Sequence, residues 1–231
     1  MKDQTQEKKS VTLLGIESSG STCSVGVSMK NQLQGEISIN GRNIHSEKLA
    51  PFVEFILENL QITFTNLDAI VLSAGPGSFT GLRIGYSLAK GIAHPLNMPI
   101  IEVPTLDVWA YQVGERNIPL MSVVDAYREE IFYSIYGWDD NQFRRQTDYS
   151  IIKIDELGQI VNEKMLINGS ISDKLKSDLK KTIPSHAIFQ NSSMPSVGAL
   201  LELGFKKYEQ EEFSDLNSSE PFYMRKFKGV S

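Results

Sequence analysis

From position 77 to position 93 a glycine or alanine recurs at every fourth residue: Gly77, Gly81, Gly85, Ala89 and Ala93. Residues four apart share one face of an α-helix, so the five would form a smooth ridge with no side chains to hold a neighbour away. The apolar run 69–74 just before them reads as a strand. Gly75-Pro76-Gly77-Ser78 reads as the turn that opens a helix over about 79–94. Two interior glycines cost that helix about 2 kcal/mol relative to alanine, at ~1 kcal/mol each. Close approach of a second backbone would offset the cost through dispersion contacts. On periodicity alone that backbone can belong to the chain's own sheet or to a partner subunit. A helix over 45–60 carries Leu49, Phe52, Val53, Ile56 and Leu60 on one face, with Ser46 as its N-cap, and it leaves the same two readings open. Pro51 belongs to the first turn of a helix that starts later, or it kinks this one.

Around these helices the pattern is α/β. Strands are predicted at 11–17, 23–29, 34–39, 69–74 and 100–103, with Thr105 capping a helix that ends near 113. A second series follows, with strands at 120–125, 130–136 and 165–167 and helices at 173–180 and 196–203. In both series an apolar strand ends in an acid, Glu17 or Asp125, passes a tight polar turn and enters another strand, which reads as an internal duplication. The expected organisation is a polar, disordered N-terminus (1–10), a first lobe (11–110) and a smaller second lobe (111–231). No low-complexity linker separates the lobes, so they should pack as one unit.

Strand, polar turn and strand with an acid at the first strand's end, present in two lobes, is how actin-like, hexokinase-like and sugar-kinase folds hold nucleotide phosphates, with backbone N–H groups as the cradle. Glu17, Ser18, Ser19 and Gly20 are therefore candidate nucleotide-facing residues. The second turn is poor in glycine, and Tyr127 and Glu129 would crowd or repel a phosphate. Gly75-Pro76-Gly77-Ser78 lacks the lysine and spacing of a Walker loop. His45, His94 and His186 are scattered, and none has a second histidine or carboxylate at the i, i+4 spacing of a helical metal site. Cys23, the single cysteine, lies in a strand as a small apolar filler and excludes an intrachain disulfide. Ser18, Ser19, Ser21 and Ser78 have no base identifiable beside them, so a protease is not indicated. No catalytic residues, metal site or cofactor of the chain's own are expected.

The formal charge of −5 argues against RNA binding by the chain alone, because nucleic-acid affinity comes mainly from cations that neutralise phosphates. The basic cluster Arg225, Lys226 and Lys228 reads as a solvated end. No apolar run approaches the length of a membrane span, and residues 1–10 do not resemble a secretory leader, so a soluble, cytoplasmic protein is expected.

The segments LLGIESSGSTCSVGV, HSEKLAPFVEFIL, SAGPGSFTGLRIGYSLAKGIA and VPTLDVWA resemble the TsaB (YeaZ) family, and VVDAYREEIFYSIY, LINGS, PSVGALLEL and PFYMRKF are similar to that family's second lobe. The match covers nearly the whole chain. The resemblance implies an actin-like (ASKHA, ribonuclease H-like) two-lobed fold and a part in making threonylcarbamoyladenosine in tRNA. The related catalytic subunit, TsaD, carries a histidine metal motif where this chain has Val103-Pro104-Thr105-Leu106-Asp107-Val108-Trp109. The departure places the chain with the non-catalytic partner. Implied partners are a TsaD-type paralogue, a TsaE-type ATPase, tRNA only through the complex, and a second copy of the chain in a homodimer when TsaD is absent. ATP or ADP would sit, if anywhere, at the interface of the complex. The resemblance turns the open choice toward a partner interface built from His45, Leu49, Phe52, Val53, Ile56, Gly77, Gly81, Gly85 and Ala89. The alternative is a nucleotide-binding phosphotransferase of the same fold.

Overall fold

The computed structural model describes residues 10–41, 43–190 and 194–224. The remaining residues, including 1–9 of the polar N-terminus and the cluster Arg225, Lys226 and Lys228, lie outside the described part.

The first sheet contains β1 (Thr12–Glu17), β2 (Thr22–Met29), β3 (Gln32–Asn40), β4 (Ala69–Gly75) and β5 (Ile100–Pro104), in the order β3-β2-β1-β4-β5. The first three strands form an antiparallel meander, and β4 and β5 add in parallel to β1. Lys30 and Asn31 both take left-handed φ, which closes the β2–β3 hairpin with a two-residue turn. β1 and β4 are buried along their whole length, as expected of central strands covered on both faces.

One face of the sheet is covered by α1 (His45–Asn59) and α2 (Phe79–Ala93), whose buried residues join Leu14, Ile16, Val25 and Leu72 in one core. The other face is covered by α3 (Thr105–Tyr111) and by α5 (Val197–Glu209), which returns from the far end of the chain. The sequence prepares that return. Gly15 and Gly26 pair across β1 and β2, and a Cβ at either would lie within about 3 Å of Val197 or Leu201 side chains; Gly204 on α5 fits against Val71 in the same way. The division near residue 110 therefore needs correction. α5 packs on the first lobe, where Val197 and Leu201 fill the space that Gly15 and Gly26 leave on its sheet and Leu200 is buried in the same cluster.

The second sheet contains β6 (Leu120–Asp125), β7 (Glu130–Asp139), β8 (Gln142–Arg145), β10 (Leu166–Ser170) and β11 (Ile188–Phe189), ordered β11-β10-β6-β7-β8, with β9 (Ser150–Lys153) also on β7. A meander flanked by parallel strands repeats the plan of the first sheet, so the duplication read from two acid-ended strands is present in the topology. α4 (Asp173–Thr182) covers this sheet through Leu175 and Leu179. Leu106, Trp109, Ala110 and Val113, in and just after α3, pack with Leu120, Val124, Tyr136 and Leu166, joining the lobes through a shared apolar cluster. No helix of the described residues is long and apolar enough to cross a membrane.

Candidate partner-binding surface and interlobe cleft

The small-residue ridge of α2 faces inward. A Cβ built on Gly77 would lie 2.2 Å from the Ser19 carbonyl oxygen, one on Gly81 2.2 Å from the Ser18 carbonyl oxygen, and one on Gly85 2.3 Å from Ser18 Oγ. Ala89 and Ala93 are fully buried in the core beneath α1 and α2. The helix approaches a backbone so closely that a methyl group would not fit, as the glycine periodicity requires, but that backbone is the chain's own β1–β2 turn. Ser78 N–H donates to the Ser19 carbonyl at 2.6 Å, and the Ser78 hydroxyl caps α2 by accepting from Gly81 N–H at 3.2 Å. Turn and helix start are thus one bonded unit. Gly77, Gly81, Gly85 and Ala89 do not present an outward interface.

The α1 stripe is corrected in the same way. Leu49, Phe52, Val53 and Ile56 are buried against the first sheet, and His45 Nε2 is 3.1 Å from the Thr22 carbonyl oxygen. A helix on a sheet must bury its apolar face, and this one buries it at home. Pro51 sits inside α1 without ending it, and the helix starts at His45 with no side-chain cap from Ser46.

What the two helices expose is largely a different set of residues. A groove of about 620 Å³ runs between them, lined by Ala50, Phe79, Arg83, Ile84 and Leu88, and of the expected interface residues His45 and Leu49 also line it. Farther along α2 a hollow of about 420 Å³ is lined by Phe64, Gly91, Ile92, Pro95 and Leu96. A Cβ on Gly91 would meet nothing within 4 Å, so this glycine, outside the four-residue series, is the one that faces open space. Phe55 on α1 is 55% exposed. Sequence reasoning missed this face because its apolar residues lie one position away from the more regular ridge that feeds the core.

The turn expected to face a nucleotide is only half turned toward the cleft. The Glu17 side chain is completely buried, accepting hydrogen bonds from Ser19 N–H (2.7 Å), the Ser19 hydroxyl (2.5 Å) and the Ser73 hydroxyl. Burial raises its pKa above the ordinary carboxylate value, against the opposing pull of these donors. Ser18 spends its carbonyl on the approach to Gly81. Ser19 and Gly20 do border a cleft of about 320 Å³ between the lobes, together with Thr105, Trp109, Gly169 and Ser172. No charged side chain lines it. In the second lobe's turn Asp125 accepts from Tyr127 N–H at 2.8 Å, and Tyr127, Arg128 and Glu129 all adopt left-handed φ, with Tyr127 76% exposed. None of the four lines the cleft. Among the described residues, no three histidine, cysteine, aspartate or glutamate side chains gather where they could hold a metal ion.

Two further features were not visible in the sequence. Asp107 on α3 accepts hydrogen bonds from the hydroxyls of Tyr136 (2.7 Å) and Tyr149 (2.9 Å), linking the lobes; burial raises its pKa, and both hydroxyls oppose that rise. The chain after α5 also crosses back over the first lobe. Ser214 bridges to Ile100, Ser219 donates to Glu102 at 2.6 Å, Phe222 N–H donates to the Ala74 carbonyl at 2.7 Å, and Tyr223 reaches Arg83 on α2.

Two mixed sheets of matching topology, joined by α3 across a cleft, define an actin-like two-lobed α/β protein. YeaZ from Pseudomonas aeruginosa has this shape, with a TM-score of 0.79 at 22% identity over 93% of this chain and 100% of that one; the Listeria monocytogenes protein Lmo2764 superposes with a TM-score of 0.51 at 11% identity, covering 87% and 100%. A family model described as TsaD, tRNA N6-adenosine threonylcarbamoyltransferase, matches residues 36–202. The chain is similar to the tRNA threonylcarbamoyladenosine biosynthesis protein TsaB of Haemophilus influenzae (22% identity, 94% of each chain) and of Bacillus subtilis (24% identity, 93% and 94%). It is also similar to that of Escherichia coli K12, at 30% identity over 56% of each chain. The chain belongs to the family that this model describes, in its TsaB (YeaZ) branch, whose members take part in tRNA threonylcarbamoyladenosine biosynthesis.

Proposed function

We propose that the chain is a non-catalytic scaffold subunit that binds a TsaD-type catalytic paralogue and activates it for threonylcarbamoylation of the adenosine next to the anticodon of ANN-reading tRNAs. The observation that carries this reading is the apolar outer face of α1 and α2. Phe55, Ile84, Leu88, Ile92 and Leu96 lie at least partly in water along two adjacent helices, and a second helix pair laid on them would form a four-helix bundle. A second copy of the chain would use the same face in a homodimer when the paralogue is absent. The TsaE-type ATPase and tRNA would meet the assembly through the complex in the cytoplasm, and any ATP or ADP would sit at a subunit interface. The phosphotransferase reading needs cations or metal-binding carboxylates around the phosphates. The cleft lining offers neither, and Glu17 is committed to two serines. The test is reconstitution of tRNA modification from purified proteins with and without this chain. Modification that requires the chain, while the chain alone neither hydrolyses ATP nor transfers a group, supports the proposal. Full modification in its absence refutes it.

A further inference from the structure

Arg83 stands at one end of the outer groove and is held there in an unusual way for an exposed side chain. Its guanidinium carbon lies 3.8 Å from the centroid of the Phe79 ring, and its Nε–H donates to the Tyr223 hydroxyl at 3.1 Å. The two aromatic rings lie 5.4 Å apart. Tyr223 comes from the segment that crosses back after α5, so residues 140 positions apart fix one rotamer of one arginine. Stacking uses the face of the guanidinium and Nε uses one edge, which leaves the two terminal nitrogens as donors. Among the described residues no carboxylate lies within ion-pair distance of Arg83.

The surroundings define what those donors can meet. The groove beside Arg83 is largely apolar, with Ala50, Ile84 and Leu88 on its walls beside His45 and the small polar residues Ser46, Thr80 and Ser87, so a helix that fills it strips water from the cation. A charge desolvated without a counter-charge is strongly unfavourable, and the occupant must bring an acceptor. α1 exposes Glu47, Glu54 and Glu58, with Lys48 among them, so a doubly charged phosphate meets more repulsion here than the single charge of a carboxylate, which is also the anionic acceptor that a helix can bring. We propose that the groove receives a partner helix whose apolar ridge fills it and whose carboxylate is taken by Arg83, which Phe79 and Tyr223 hold in place beforehand. This rests on the docking surface assigned above and adds the chemistry of the occupant. The rotamer entropy of a long arginine is given up within the free chain, so Arg83 acts as a specificity contact and Tyr223 as its positioning residue.

The test measures the affinity of the full chain for the TsaD-type paralogue encoded in the same genome, at low and high salt, with thermal melts confirming that each variant folds. Arg83→Gln is expected to weaken binding about 10-fold or more and to flatten the salt dependence, as loss of one side of a covered charge pair does. Arg83→Lys should recover only part of the loss, because an ammonium cannot pair bidentately from a stacked position. Tyr223→Phe should weaken binding severalfold without changing the melt. Leu88→Glu, which blocks the apolar groove and leaves Arg83 intact, separates the two claims. If Leu88→Glu abolishes binding while Arg83→Gln binds like the wild type, the charge assignment fails and the docking surface stands. If neither variant weakens binding, the docking surface fails as well. Unchanged affinity of Arg83→Gln for the paralogue, with weakened tRNA binding by the assembled complex, would make the acceptor a phosphate and overturn the inference.

Discussion

Replacing Gly81 with alanine puts a methyl carbon 2.2 Å from the Ser18 carbonyl oxygen and 3.2 Å from Ser78 Oγ. The first contact is with backbone held between β1 and α2, so the turn and the helix must separate by roughly 1 Å to restore a normal carbon–oxygen contact. Alanine returns about 1 kcal/mol of helix propensity. Overpacking of this kind costs about 1–3 kcal/mol, occasionally more. Separation also stretches the 2.6 Å bond from Ser78 N–H to Ser19 and the Ser78 cap on Gly81, each worth about 1 kcal/mol. With both bonds lost, the sum is a net loss of about 2–4 kcal/mol. For a chain of this size that lowers Tm by roughly 2–4 °C for each kcal/mol. Gly91→Ala is the matched control, since its Cβ meets nothing within 4 Å and only the propensity term of about 1 kcal/mol remains. Differential scanning calorimetry of the free chain should show Gly81→Ala melting below the wild type and Gly91→Ala above it. A Gly81→Ala protein as stable as the wild type would refute the inward assignment of the ridge.

Glu17 gives a pH signature. Its folded-state pKa lies above the reference value of 4.5, so the protonated form is favoured by folding and its stabilising contribution is lost as pH rises from about 4.5 through the folded pKa. Glu17→Gln, compared with the wild type by urea denaturation at pH 5 and pH 8, should therefore gain in relative stability toward the higher pH; an equal difference at both values would contradict a raised pKa. Tyr149→Phe deprives the buried Asp107 of one of its two tyrosine donors and should cost about 1–3 kcal/mol, read as a lower urea midpoint with an unchanged slope. An unchanged midpoint would show that Tyr136 alone satisfies the carboxylate.

Much of the fold was legible because strand burial is written as continuous apolar runs. β1 and β4 stand out in this way, β2 alternates Cys23, Val25, Val27 and Met29 with small residues, and the repeated strand-acid-turn pattern pointed correctly to two sheets of one plan. The course of the chain after residue 196 was not legible. Nothing local in Val197, Leu200 and Leu201 says which sheet they will cover, and the answer lies in Gly15 and Gly26, some 180 residues earlier. For the surface, the physical reasoning about glycine was sound and its direction was not. A helix with glycine every fourth residue needs a close backbone, but periodicity carries no sign for inward or outward, and Ser18 and Ser19 met the need from within the chain. The outer face was masked because Ile84, Leu88 and Ile92 keep the same four-residue spacing just beside the glycines. The Arg83, Phe79 and Tyr223 contact joins positions that no local pattern connects.

The claim on which the account turns is that the catalytic paralogue sits on the outer side of α1 and α2. Hydrogen–deuterium exchange of the chain, free and saturated with that paralogue, measures this directly. The account predicts slowed exchange in peptides covering 45–59 and 79–96, with the second lobe from β6 to β11 unchanged. Protection confined to the interlobe cleft or to the second sheet, with both helices exchanging as in the free chain, would contradict it.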